Sequence, residues 1–147
     1  MKGLKAAAVL TYGFILSYIV LWAPARREHR VDGIYRTRFV PFKGTWDDMM
    51  HPKGNNVAAH WVMFLGNFAG NILLFVPFSF IVMLVFRITS TRTVILLGFL
   101  TSVCIEIIQY ITHWGVADVD DVMLNTLGAL IGAYLCRPFF SRLNMQS

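Results

Sequence analysis

Four long apolar stretches, separated by short charged segments, set the pattern of this chain. The first covers residues 6–23, carries no charge, and is flanked by Lys2 and Lys5 on one side and by Arg26 and Arg27 on the other. The others cover residues 57–86, 93–113 and 118–136. Their lengths suit helices crossing a hydrocarbon layer about 30 Å thick. At ~1.5 Å per residue, 57–86 spans about 45 Å, enough to tilt or protrude. Pro77 within it removes a backbone donor and predicts a kink. The charge-free part of the last stretch begins only at Val122, so Asp118 and Asp121 are expected at the membrane lip or just inside it. Residues 24–56 are the one extended polar segment. Gly33, Pro41, Gly44, Pro52 and Gly54 predict a loop there, and Val40, Phe42 and Trp46 give it an apolar patch suited to the bilayer interface. The expected fold is all-α: residues 1–147 form one bundle of four transmembrane helices, with a long polar loop between helices 1 and 2. The first stretch is too long for a signal peptide and lacks a small-x-small site, so it is expected to stay as a span.

Composition sharpens this. Apolar residues make up 56% of the 147 and charged residues 14%, where a soluble domain carries about a quarter charged. A separate soluble catalytic domain does not fit in this length. The net charge of +5 points to anionic lipid headgroups as partners rather than nucleic acid. Cys104 and Cys136 lie in apolar stretches and are expected to be buried thiols.

Polar residues inside the apolar stretches are costly and tend to face a bundle interior. Ser102, Glu106, Gln109 and His113 are spaced 4, 3 and 4, which puts them on one helical stripe. Asp118, Asp121, Asn125, Gly128 and Gly132 form a second stripe, and His60, Asn67 and Asn71 a third. Counting inward from a common rim places Asn67, Glu106 and Asn125 in one layer about 10 Å down. Asn71, Ser102 and Gly128 form the next. Glu106 is the sharpest candidate, as proton acceptor, ligand contact or polar clamp. Arg36, Arg38 and Lys43 of the loop reach the same mouth. Asp120 falls off the stripe and is expected in solvent. Gly66-x-x-x-Gly70 and Gly128-x-x-x-Gly132 favour close helix approach. His113, Asp118 and Asp121 have no spacing typical of a metal motif, and no metal or cofactor is expected.

The ordered set Arg38-Phe-Val-Pro41-Phe42, Asn71-x5-Pro77-Phe78, Ser102-x-x-x-Glu106-x-x-Gln109 and Asp118-x-x-Asp121-x-x-x-Asn125-x-x-Gly128 resembles the VanZ-like membrane proteins, over about residues 10–136. The resemblance implies a bacterial cell-envelope protein associated with resistance to the glycopeptide teicoplanin. That family's loop motif usually has Asn where Arg38 stands. An Arg commonly precedes its Asp motif, near Gly115 here. The cation facing the carboxylates is then expected from Arg36, Arg38 or His113.

Three functions remain in competition. One is binding of a lipid, a lipid-linked cell-wall precursor or a lipoglycopeptide by Arg36, Arg38, Asn67, Asn71, Ser102, Gln109, His113 and Asn125. Another is an intramembrane enzyme with Glu106 as general acid or base, assisted by Asp118 and Asp121. The last is a small proton or ion pathway. No Ser-His-Asp order, phosphate loop or thiolate nucleophile is evident. With four spans both termini share one side. Lys2, Lys5, Arg87, Arg92, Arg137 and Arg142 on that side nearly balance the basic residues of the loop, so charge alone gives no orientation. The resemblance favours termini in the cytoplasm and loop 24–56 outside, in the cytoplasmic (inner) membrane. The oligomeric state is left open.

Overall fold

The computed structural model describes residues 2–22, 30–31, 34–35, 37–52 and 56–144. It is helical, with α1 Lys2–Ser17 running into a π turn Tyr18–Trp22. A two-residue antiparallel pair, β1 Arg30–Val31 and β2 Ile34–Tyr35, follows. Next come the short α2 Lys43–Met50 and the long α3 Val57–Phe80 with its π extension Ile81–Val85. α4 Thr91–Thr112 and α5 Val119–Asn144 complete the chain. Four segments are long and apolar enough to cross a membrane: Gly3–Val20, Val57–Val85, Thr91–Thr112 and Val119–Phe139. The protein is therefore an all-α, multi-pass membrane bundle.

The starts of α3 and α4 are capped by short polar side chains. Asn56 accepts from the Ala59 N–H at 3.0 Å and Ser90 from the Thr93 N–H at 3.3 Å, which satisfies donors no helical carbonyl can reach. α3 runs on through Pro77 and widens into the π turn one turn later. α5 likewise continues past Pro138, where the sequence predicted an end. Proline there leaves only the Tyr134 carbonyl without its helical donor, and Tyr134 is exposed.

α5 is the centre of the bundle, packed on both α3 and α4. It runs parallel to α3, since α4 crosses back between them, and small residues let the two backbones close. A Cβ at Gly128 would stand 2.2 Å from the Ile72 carbonyl oxygen, and one at Gly132 2.5 Å from that of Val76. Ser79 Oγ donates to the Ala129 carbonyl at 2.7 Å within the same seam. On α4, Gly98 faces Ala129. Val82, Met83, Val94, Ala133 and Cys136 make an apolar cluster toward the terminal side. Gly66 and Gly70 meet nothing within 4 Å, so that second motif makes no close approach among the described residues. Cys104, expected to be buried, is exposed.

α1 buries little of its surface and is tethered by polar contacts to carbonyls at three depths. Lys5 Nζ reaches the Val85 carbonyl at 3.5 Å, Tyr12 Oη donates to Leu74 at 3.0 Å, and Gln109 Nε2 donates to Val20 at 2.9 Å.

Candidate functional site

The parallel pairing of α3 with α5 decides which polar residues meet. The Asn71 side chain reaches Asp121, and the Ile72 and Val76 carbonyls face Gly128 and Gly132. α3 therefore begins about two to three turns before α5 does. Asn67, one turn above Asn71, has no α5 beside it and is exposed. The expected layer of Asn67, Glu106 and Asn125 does not form. Asn71 Nδ2 instead donates to Asp121 Oδ1, and Asn125 Nδ2 donates to Ser102 Oγ at 2.8 Å. That layering presumes a rim common to the three helices, and they do not share one.

Glu106 lies higher in this seam. Its Oε2 accepts the Asp118 backbone N–H at 2.7 Å. Asp118 Oδ1 in turn accepts the Asp120 N–H at 2.9 Å. Two carboxylates thus meet the positive end of α5, where backbone donors are unspent and the helix dipole favours anions. Gly115, at φ 137°, carries the link from α4 into this cap. A Cβ there would stand 2.9 Å from the Gln109 side chain, so the backbone favours glycine here, near where the resembled family commonly carries an arginine.

The segment after β2 closes over the cap. Arg38 N–H donates to the Ala117 carbonyl at 2.8 Å and Val119 N–H donates to the Arg38 carbonyl at 3.0 Å, a one-residue parallel bridge. Arg38 Nη1 lies 2.9 Å from Asp48 Oδ2 and 3.6 Å from Asp118 Oδ2. Among the described residues, Arg38 is the cation that faces the carboxylates. Arg36 lies outside the described residues, and His113 is exposed at the left-handed end of α4, φ 56°. Gly44 makes room for Arg38, since a Cβ would meet its Cδ at 2.7 Å.

Asp120, expected in solvent, is 5% exposed. Its two oxygens accept the Phe42 N–H at 2.7 Å and the Thr45 hydroxyl at 2.6 Å. It clamps the lip segment to α5 and holds Phe42 in the left-handed region, φ 62°. A helical stripe could not reveal it. The signal available was its place in the first turn of a helix, where an acid is favoured. Gln109 is buried and ties α4 to α1 rather than facing the seam mouth. His60 reaches the other way, its Nε2 2.7 Å from the Asp48 carbonyl oxygen.

Burial pushes the Asp118 carboxyl up from 3.8 to about 6, and the charge of Asp121 adds to this. The Asp120 N–H and the Arg38 guanidinium pull it back in part.

Outside the cap lies a groove of about 250 Å³ whose lining includes Arg38, Phe39, Lys43, Asp47 and Asp48. A second, of about 540 Å³, shares Thr37 and Phe39 with it and runs past Tyr110, Ile111 and His113. The site thus has two parts: a seam whose side chains bond one another, and an open lip with charges at one end and apolar side chains at the other.

Comparison with curated proteins and with solved structures finds no match. A family model described as VanZ/LLP1 matches residues 6–141, which takes in nearly all of the spans and the whole of the lip and seam. On that match the chain belongs to the VanZ/LLP1 family.

Proposed function

We propose that this protein holds the phosphate-bearing headgroup of a lipid, or of a lipid-linked cell-wall precursor, at the lip of its bundle. The observation that carries this reading is Arg38 and Lys43 in one groove of about 250 Å³, beside the exposed Phe39 and Val40. Cations next to apolar surface match the boundary between headgroup and hydrocarbon. Asp48 already orients the Arg38 guanidinium, which lowers the ordering cost of meeting a phosphate. The adjoining groove past Tyr110 and Ile111 offers the ligand's chain an apolar path. The seam donors are spent within the seam, although Asn125 Oδ1 is buried without a partner among the described residues, and the open groove lies above them, which favours a ligand there. The setting is the bacterial cytoplasmic membrane, with lip outside and termini inside. There, occupancy of a precursor headgroup limits the access of teicoplanin or a similar lipoglycopeptide.

Native mass spectrometry of the purified chain with its co-isolated lipid tests this. Arg38→Ala is expected to lower phospholipid retention about tenfold, the scale of one lost charge-assisted phosphate contact. Lys43→Ala, whose side chain has no partner among the described residues, leaves the fold alone and lowers retention in the same direction. Retention unchanged in both variants overturns the reading. Glu106→Gln keeps an acceptor for the Asp118 N–H and is expected to keep both lipid and resistance phenotype. A lost phenotype with lipid retained moves the function to proton chemistry at Glu106.

A further inference from the structure

The charges of α2 are placed against the helix's own interest. Lys43 is its first residue, at the positive end of the dipole, and Asp47 and Asp48 lie in its second half, toward the negative end. Asp48 is explained by its ion pair with Arg38. Lys43 and Asp47 are not. They stand four residues apart, a spacing at which opposite charges can pair, although lysine preceding the acid is the poorer order. Neither side chain has an ion pair or hydrogen bond among the described residues. Both line the 250 Å³ groove with Arg38. Both ion pairs of Arg38 use Nη1, so the donors on Nε and Nη2 are spent in neither.

One groove therefore offers two cations and an uncommitted carboxylate. We propose that the lipid headgroup it takes is zwitterionic, an aminophosphate of the phosphoethanolamine type. The phosphate lies on Arg38 and Lys43, and the primary ammonium on Asp47. This rests on the lipid-headgroup reading above and narrows it to one charge pattern. A headgroup with phosphate but no amine leaves Asp47 facing an anion. A quaternary amine has no N–H to give it. The apolar Phe39 and Val40 at the groove's edge favour a membrane lipid over the free aminophosphate.

The full-length protein, stripped of lipid and offered equal phosphatidylethanolamine, phosphatidylglycerol and phosphatidylcholine, is read by native mass spectrometry. The expected preference for phosphatidylethanolamine over each of the others is about fivefold, as for one solvent-facing charged contact. Asp47→Asn is expected to bring the three lipids to parity and to leave retained phosphatidylglycerol no lower. Free phosphoethanolamine at equal concentration is expected not to displace the lipid; if it does, the source is the soluble aminophosphate and the lipid assignment fails. Equal retention of the three lipids by the native chain, or a preference that survives Asp47→Asn, overturns the zwitterionic inference. The phosphate reading then still stands if Lys43→Ala and Arg38→Ala shed phosphatidylglycerol. If those two variants shed nothing, both fail.

Discussion

Asp118 does two jobs with one carboxylate: it caps α5 through the Asp120 N–H and it faces Arg38 across 3.6 Å. It precedes the fourth span, and burial among other acids raises it from 3.8 to about 6. A raised value means that the folded protein holds this proton more tightly than the unfolded chain does. The stability it contributes is full below about pH 4 and is lost as pH rises through about 6. At ~1.4 kcal/mol per unit the ceiling is about 3 kcal/mol. Melting temperatures of the native chain and of Asp118→Asn, compared from pH 4 to pH 8, isolate this group. The native chain is expected to lose ground against the variant as pH rises to about 6, and to hold a constant gap above about 7. A gap that does not move with pH rules the assignment out. Asp120 shows the other face of residue-scale reading. Off the helical stripe, it is nonetheless buried, because the lip segment and not a neighbouring helix covers it.

Among the elements, the contact between α3 and α5 is set by absent side chains. The carbonyls of Ile72 and Val76 occupy the space that a Cβ at Gly128 or Gly132 would need. Backbone cannot step aside as a side chain tip can. Gly128→Ala is expected to destabilise the bundle by about 1–3 kcal/mol, the usual cost of overpacking. Gly66→Ala, with nothing within 4 Å, is expected to be neutral or to stabilise by up to about 1 kcal/mol through helix propensity. Thermal unfolding in one detergent measures both. Equal shifts for the two glycines refute the packing argument. The two motifs are identical in spacing, so sequence treats them alike. They differ because α3 outruns α5 at its start, and Gly66 meets nothing within 4 Å among the described residues.

For the whole molecule, orientation decides which compartment the groove faces. The lip carries Trp46, which is 57% exposed; Thr89, also exposed, lies in the α3–α4 connection on the terminal side. With Cys104 and Cys136 replaced by serine, Trp46→Cys is expected to react with a membrane-impermeant maleimide on intact cells. Thr89→Cys is expected to react only after the membrane is opened. The reverse pattern puts the headgroup groove in the cytoplasm and removes it from any extracellular antibiotic. The bundle tolerates little disturbance during such tests at α1, which hangs on Lys5, Tyr12 and Gln109 rather than on a broad apolar face.

Four helices long and apolar enough to cross a membrane, and the helical spacing of the polar residues on α3, α4 and α5, were legible in the sequence, because hydrocarbon imposes its demand on each segment separately. Charge must leave a span, and what polar groups remain must line up at helical spacing. The partners within the seam were not legible. Asn71 with Asp121, Asn125 with Ser102 and Glu106 with the Asp118 N–H depend on how far one helix slides along another. That slide is fixed by glycines meeting backbone carbonyls on a different helix. The lip depends on a fold-back more than 70 residues long, from Phe42 and Thr45 to Asp120. Periodicity describes one helix at a time, and only the tertiary structure brings these distant segments into register.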